Sequence, residues 1–219
     1  MAKSGLLKSS IAKKYLMALT GLFLVVFLLE HLYGNLLLLK PDGGAAFNEY
    51  SHNMTSNVFI RIVEILLFLG ILAHVVNALR LTIENKKARP VKYAVNKPAA
   101  NSSWFSRNMG LTGSIILVFI VIHLSDYFFE YRVEGLDGDE TIYGEVIESF
   151  KNLWYVIIYI VAFIFLGFHL NHAIQSAFQT LGINHPKYNP IIKKTGAALA
   201  FIITIGFTFI PLYIYFTMH

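Results

Sequence analysis

Residues 15–39 read YLMALTGLFLVVFLLEHLYGNLLLL, and Glu30 is the one formally charged side chain in the run. A helix that crosses a bilayer needs about 20 mostly apolar residues. This stretch meets that length, and no small-residue cleavage site follows it, so it reads as a retained span rather than a signal peptide. Four further stretches qualify, at about 58–83, 109–129, 153–181 and 195–216. The expected fold is all-α, an integral membrane bundle of five transmembrane helices, with residues 1–219 forming one transmembrane domain. Composition agrees. The chain is 56% hydrophobic and 14% charged, with a mean hydropathy of +0.57. A soluble domain carries about 25% charged residues to cover its surface. That excludes an ordinary cytosolic enzyme, a nucleic-acid-binding module and a disordered tail. Cysteine is absent, which excludes disulfides, thiolate metal sites, a cysteine-ligated iron–sulfur cluster and a catalytic thiol.

The connections sort by charge. Lys3, Lys8, Lys13 and Lys14 precede the first span, Arg80 to Arg107 bracket the second connection, and Lys187, Lys193 and Lys194 lie in the fourth. That side holds 14 of the 18 Lys and Arg against one acid, Glu84. The other side carries most of the acids, including Asp126, Asp137, Asp139, Glu140, Glu145 and Glu148. The positive-inside rule then puts the N-terminus and connections two and four in the cytoplasm, with the C-terminal His219 outside. The plainest account of the acidic stretch around Asp137 is a solvated outer loop.

Five of the eight histidines lie inside predicted spans: His31, His74, His123, His169 and His172. An ionisable group in a membrane is costly and usually functional. At about 1.5 Å rise per residue, His31 and His123 each sit roughly 24 Å from the inner face, in the outer half. His74 and His169 lie equally far along helices running the other way, in the inner half. The expectation is two histidine pairs stacked across the membrane.

An internal repeat supports this pairing. ALTGLFLVVFLLEHL at 18–32 and GLTGSIILVFIVIHL at 110–124 share seven of 15 positions. Leu19, Thr20, Gly21 and His31 match Leu111, Thr112, Gly113 and His123. Gly21 and Gly113 leave room for a flat ligand between helices, with close helix packing as the alternative account. AHVVNAL and FHLNHAI align His74 on His169 and put His172 on Asn77, so His169 is the better ligand and His172 a polar neighbour. Two imidazoles from facing helices suit the axial positions of a haem iron. The two levels stand too far apart to share one zinc or copper ion. No C-x-x-C-H is present, so attachment would be non-covalent.

The chain resembles the five-helix, single-chain dihaem cytochrome b anchor of succinate dehydrogenases and quinol:fumarate reductases. The marks are EHLYGNLLLL with DGGAAFNEYSH, AHVVNALRL, VIHLSDYFF and FHLNHAIQSAFQTLGINH. In the last, His169 stands 13 residues before Gly182, the family spacing. The resemblance implies two non-covalent b haems enclosed by four of the helices, His31 and His123 holding the outer iron and His74 and His169 the inner. It implies a flavoprotein subunit, an iron–sulfur subunit docked on the basic cytoplasmic loops, and electron exchange with a membrane quinone, menaquinone or a relative. The setting it implies is a bacterial inner membrane. Gly167 stands where some fumarate reductases have a glutamate, which puts a transmembrane proton path in doubt.

Quinone chemistry moves two electrons with two protons, so proton-handling groups belong beside the electron carrier. Glu30, Glu64 and Asp126 all fall near the outer histidine level. Glu64 is the best candidate for the proton group, followed by Glu30, with Asp126 more simply a helix-end charge. Arg61 and Arg80 lie at depths suited to haem propionates, and equally to snorkelling. Alternatives are the haem-bearing anchor of another respiratory dehydrogenase, such as a hydrogenase or formate dehydrogenase, and a histidine-lined metal transporter. The apolar span faces suit lipid or a second copy, so a dimer of complexes is compatible.

Overall fold

A computed structural model of the protein describes residues 9–88, 104–134 and 141–218. Lys3, Lys8, Arg89, Lys92, Lys97, Asp137, Asp139, Glu140 and His219 lie outside the described residues. Five helices are long and apolar enough to cross a membrane, at Ser10–Leu39, Val58–Lys87, Met109–Arg132, Leu153–Thr180 and Asn189–Thr217. The chain is a multi-pass membrane protein.

The first span is α1 (Ser10–Leu36) plus a 3-10 turn at Leu37–Leu39. It begins five residues before the expected Tyr15, because the Ser9 hydroxyl accepts the Ala12 N–H at 3.1 Å and caps the helix there. Asn57 caps α3 (Val58–Lys87) by accepting from Phe59 and Ile60. After α4 (Trp104–Arg107), α5 (Met109–His123) continues as a π-helix, Leu124–Glu134. Asn152 caps α7 (Leu153–Thr180) in the same way as Asn57 caps α3. α7 ends in a Schellman turn: Ile183 N–H donates to Phe178 O at 3.0 Å and Gly182 N–H to Gln179 O at 3.2 Å. Gly182 takes φ +83° there, a conformation glycine adopts without a Cβ penalty. The last span is α8 (Asn189–Thr217), with a proline in its first turn and Pro211 inside it.

Two further helices form in the connections after the first and third spans, α2 (Ala45–Ser56) and α6 (Ile142–Lys151). Apolar residues four apart explain α6: Val146 and Phe150 are buried, while Glu148 faces out and pairs with Lys151 at 2.8 Å. Both short helices pack over the outer end of the bundle.

The apolar core runs along α1, α7 and α8 through Val25, Leu32, Phe163, Leu170, Ile203 and Phe207. Its opposite side is thin. Among the described residues, α3 buries only Asn77 and α5 only Thr112. The outward faces are apolar instead, with Val58, Phe59, Ile62, Leu66, Leu69 and Leu72 exposed along α3. Such a surface is stable against lipid and not against water. At the inner end, Lys13 pairs with Glu84 at 2.5 Å and Asn77 donates to the Lys13 carbonyl at 2.6 Å. The one acid of the basic side is therefore engaged by a neighbouring lysine, and α1 is tied to α3.

Candidate functional site

α1, α3, α5 and α7 each bring one histidine inward, and the four meet as two pairs. The His31 and His123 ring centres are 5.7 Å apart, with the planes at 85°. Those of His74 and His169 are 6.4 Å apart, at 67°. A metal ion bound by two opposed imidazole nitrogens at about 2.0–2.1 Å each would separate the ring centres by about 6.3 Å. Both pairs lie near that spacing. Each offers two protein ligands at its level, which suits a metal whose remaining positions are filled by a macrocycle. Among the described residues, no three His, Asp or Glu side chains gather to hold an ion by themselves.

Three of the four histidines also have a hydroxyl within hydrogen-bond reach of Nδ1. Thr20 donates its only hydroxyl proton to the Leu16 carbonyl at 2.7 Å, and the same oxygen lies 3.1 Å from His74 Nδ1. With that proton on the carbonyl, the hydroxyl accepts from the ring, which places the hydrogen on Nδ1 and the lone pair on Nε2. Thr112 repeats this, donating to Met109 O at 3.1 Å and lying 3.3 Å from His169 Nδ1. His123 Nδ1 lies 3.2 Å from the Tyr159 hydroxyl. Imidazoles fixed in this way present Nε2 as a ligand atom.

The repeat acquires a physical meaning here. Phe27 stacks on His31 at 5.2 Å and Phe119 on His123 at 5.7 Å, one turn before each histidine. A Cβ on Gly21 would meet His74 Cε1 at 3.4 Å, and one on Gly113 would meet His169 Cε1 at 3.7 Å. The glycines thus sit at the inner level, ten residues from the outer histidines of their own helices. Each copy of L-T-G…F…H serves both levels: Thr and Gly support an inner histidine, and Phe and His build the outer one. Phe207 of α8 closes the outer pair against His31 at 5.8 Å.

The remaining candidates fall around this frame. Glu64 is held by Arg61 through both carboxylate oxygens, at 2.8 and 2.9 Å, so these two form one pair. Glu30 points out of the bundle and accepts a hydrogen bond from Tyr50 of α2. Burial, and then the bond to Glu30, pushes the Tyr50 hydroxyl above its ordinary range, so it stays a donor at neutral pH. Arg80 is exposed at the inner end of α3, and His172 is half-buried one turn beyond His169. Gly167 faces Thr204 of α8, whose side chain occupies the place a Cβ would take. A glutamate there would have to displace the α7–α8 contact.

No family model, curated protein or solved structure matches the chain.

Two functional groups escape the sequence reading. The threonines belong to the repeat, but nothing in one dimension aims Thr20 at α3 or Thr112 at α7. Tyr155 and Tyr159, one turn apart on α7, have ring centres 4.7 Å apart and hydroxyls 3.0 Å apart beside His123. In a chain with 12 tyrosines their i, i+4 spacing alone does not single them out.

Proposed function

We propose that the chain is the membrane-anchor cytochrome b subunit of a succinate:quinone oxidoreductase, a succinate dehydrogenase or fumarate reductase. It would carry electrons between an iron–sulfur partner on the cytoplasmic face and a quinone, menaquinone or a relative, in a bacterial inner membrane. The observation that carries this reading is the pair of facing imidazoles at each of two levels, spaced for a six-coordinate iron. The thin packing of α3 and α5 supports it, since a broad planar group between α1, α3, α5 and α7 would supply contacts there. His31 and His123 would hold one b haem and His74 and His169 the other. When bound, the haems supply one-electron carriers at two depths.

The chain's own residues do the rest. Thr20 and Thr112 hold the inner imidazoles with Nε2 bare. Phe27, Phe119 and Phe207 pack the outer imidazoles and exclude water. At the outer level the Glu64–Arg61 pair and the Glu30–Tyr50 pair supply carboxylates for the protons of quinone chemistry. Basic residues at the inner ends of the spans, among them Arg80, Arg107 and Lys187, would receive the iron–sulfur partner, which in turn holds the flavoprotein. They also face lipid headgroups.

The test uses membranes of the native cell. Succinate should reduce a b-type absorption band that follows the tagged chain through purification, and malonate should block the reduction. Reduction by hydrogen or formate, with none by succinate, would move the chain to the anchor of another dehydrogenase.

A further inference from the structure

The outer histidines are supported differently. Beyond His123, the chain of hydrogen bonds continues. Tyr159 lies 3.0 Å from Tyr155, and Tyr155 donates to Asp126 Oδ2 at 2.7 Å. The carboxylate end sets the direction of every link. A carboxylate only accepts, so the single Tyr155 proton goes to Asp126. Tyr155 must then accept from Tyr159, which spends the single Tyr159 proton. Tyr159 can meet His123 only as an acceptor, so His123 carries its hydrogen on Nδ1. The π-helix contributes by geometry: it starts immediately after His123 and brings Asp126 within 2.7 Å of Tyr155 on α7. Aligning His74 with His169 places Glu64 opposite Tyr159, and Glu64 is held by Arg61.

We propose that Tyr159, anchored through Tyr155 on the Asp126 carboxylate, is a positioning residue that fixes the tautomer of His123 and strengthens it as a ligand. A hydrogen bond from Nδ1–H to an oxygen polarised by an anion raises the basicity of Nε2, and such outer partners tune both affinity and redox potential. The control acts on one level alone, because the inner pair relies on Thr20 and Thr112 bonded to backbone carbonyls. This inference rests on the proposed b-haem function.

The test is a redox titration of the full-length purified protein with its native haem, followed by visible absorption and by electron paramagnetic resonance. Tyr159→Phe should raise the midpoint potential of one haem, shift that haem's low-spin signal, and leave the other unchanged. Tyr155→Phe should move the same haem the same way by less, and it decides the matter if Tyr159→Phe does not accumulate. Thr112→Val should move the other haem. Unmoved potentials in the tyrosine variants, with two haems bound, overturn this inference and leave the functional reading standing. Equal shifts of both haems would mean general loosening and also overturn it. A wild-type chain without haem overturns both.

Discussion

At the residue scale, the site is built from single hydrogen atoms. Thr20 and Thr112 look like ordinary helix threonines bonded back to their own carbonyls, and that bond is what turns their oxygens into acceptors for an imidazole. Thr112→Val keeps the shape and removes the acceptor. Outer partners of metal-bound histidines are worth about 10–100-fold in affinity, so a haem held by the inner pair should be lost that much more readily on dialysis. Haem retained per chain measures this, and retention equal to wild type would refute the role. Glu64→Gln addresses the proton side. Proton-transfer groups contribute roughly 10²–10⁴-fold, so quinone-linked turnover should fall by about 10²-fold while both haems stay. Unchanged turnover would remove Glu64 from the site. The pairing of the histidines was legible, because four histidines at matched depths on alternate helices are costly in a membrane unless they pair around something. Their partners were not. Tyr159 reaches His123 across 36 positions and Thr112 reaches His169 across 57, and such approaches are set by packing rather than by local pattern.

At the scale of elements, glycine decides how closely the helices approach. Gly167 meets Thr204, Gly206 would place a Cβ 2.8 Å from Leu32, and Gly196 would place one 3.1 Å from Ile174. These contacts let α8 lie along α7 and α1, where the core is tightest, in the small-residue manner of membrane helices. Gly167→Ala should cost about 1–3 kcal/mol as overpacking, read as a lower thermal midpoint in detergent. Gly110→Ala, with open space around its Cβ, is the control. Equal midpoints for the two variants would contradict this packing. The five spans were legible to within a few residues at most ends, because length and apolarity are what a bilayer demands. The short outer helices were not. α2 and α6 take their stability from the bundle end beneath them, and a polar 10- or 12-residue helix is marginal alone. The π-helix after His123 was equally hidden.

At the scale of the whole molecule, charge and depth combine into an orientation. By the positive-inside rule, the charge of the connections predicts that the inner histidine pair lies toward the cytoplasm. The chain has no cysteine, which makes single substitutions unique labels. Glu148→Cys should react with a membrane-impermeant maleimide in intact cells, and Lys187→Cys only after permeabilisation. The reverse pattern would invert the orientation and exchange the two levels. Everything else depends on what the two levels hold. The most direct measurement is haem per chain in the purified protein, by pyridine haemochrome against protein mass. Two non-covalent b haems per chain is the predicted result; a folded chain that carries no haem would contradict the account.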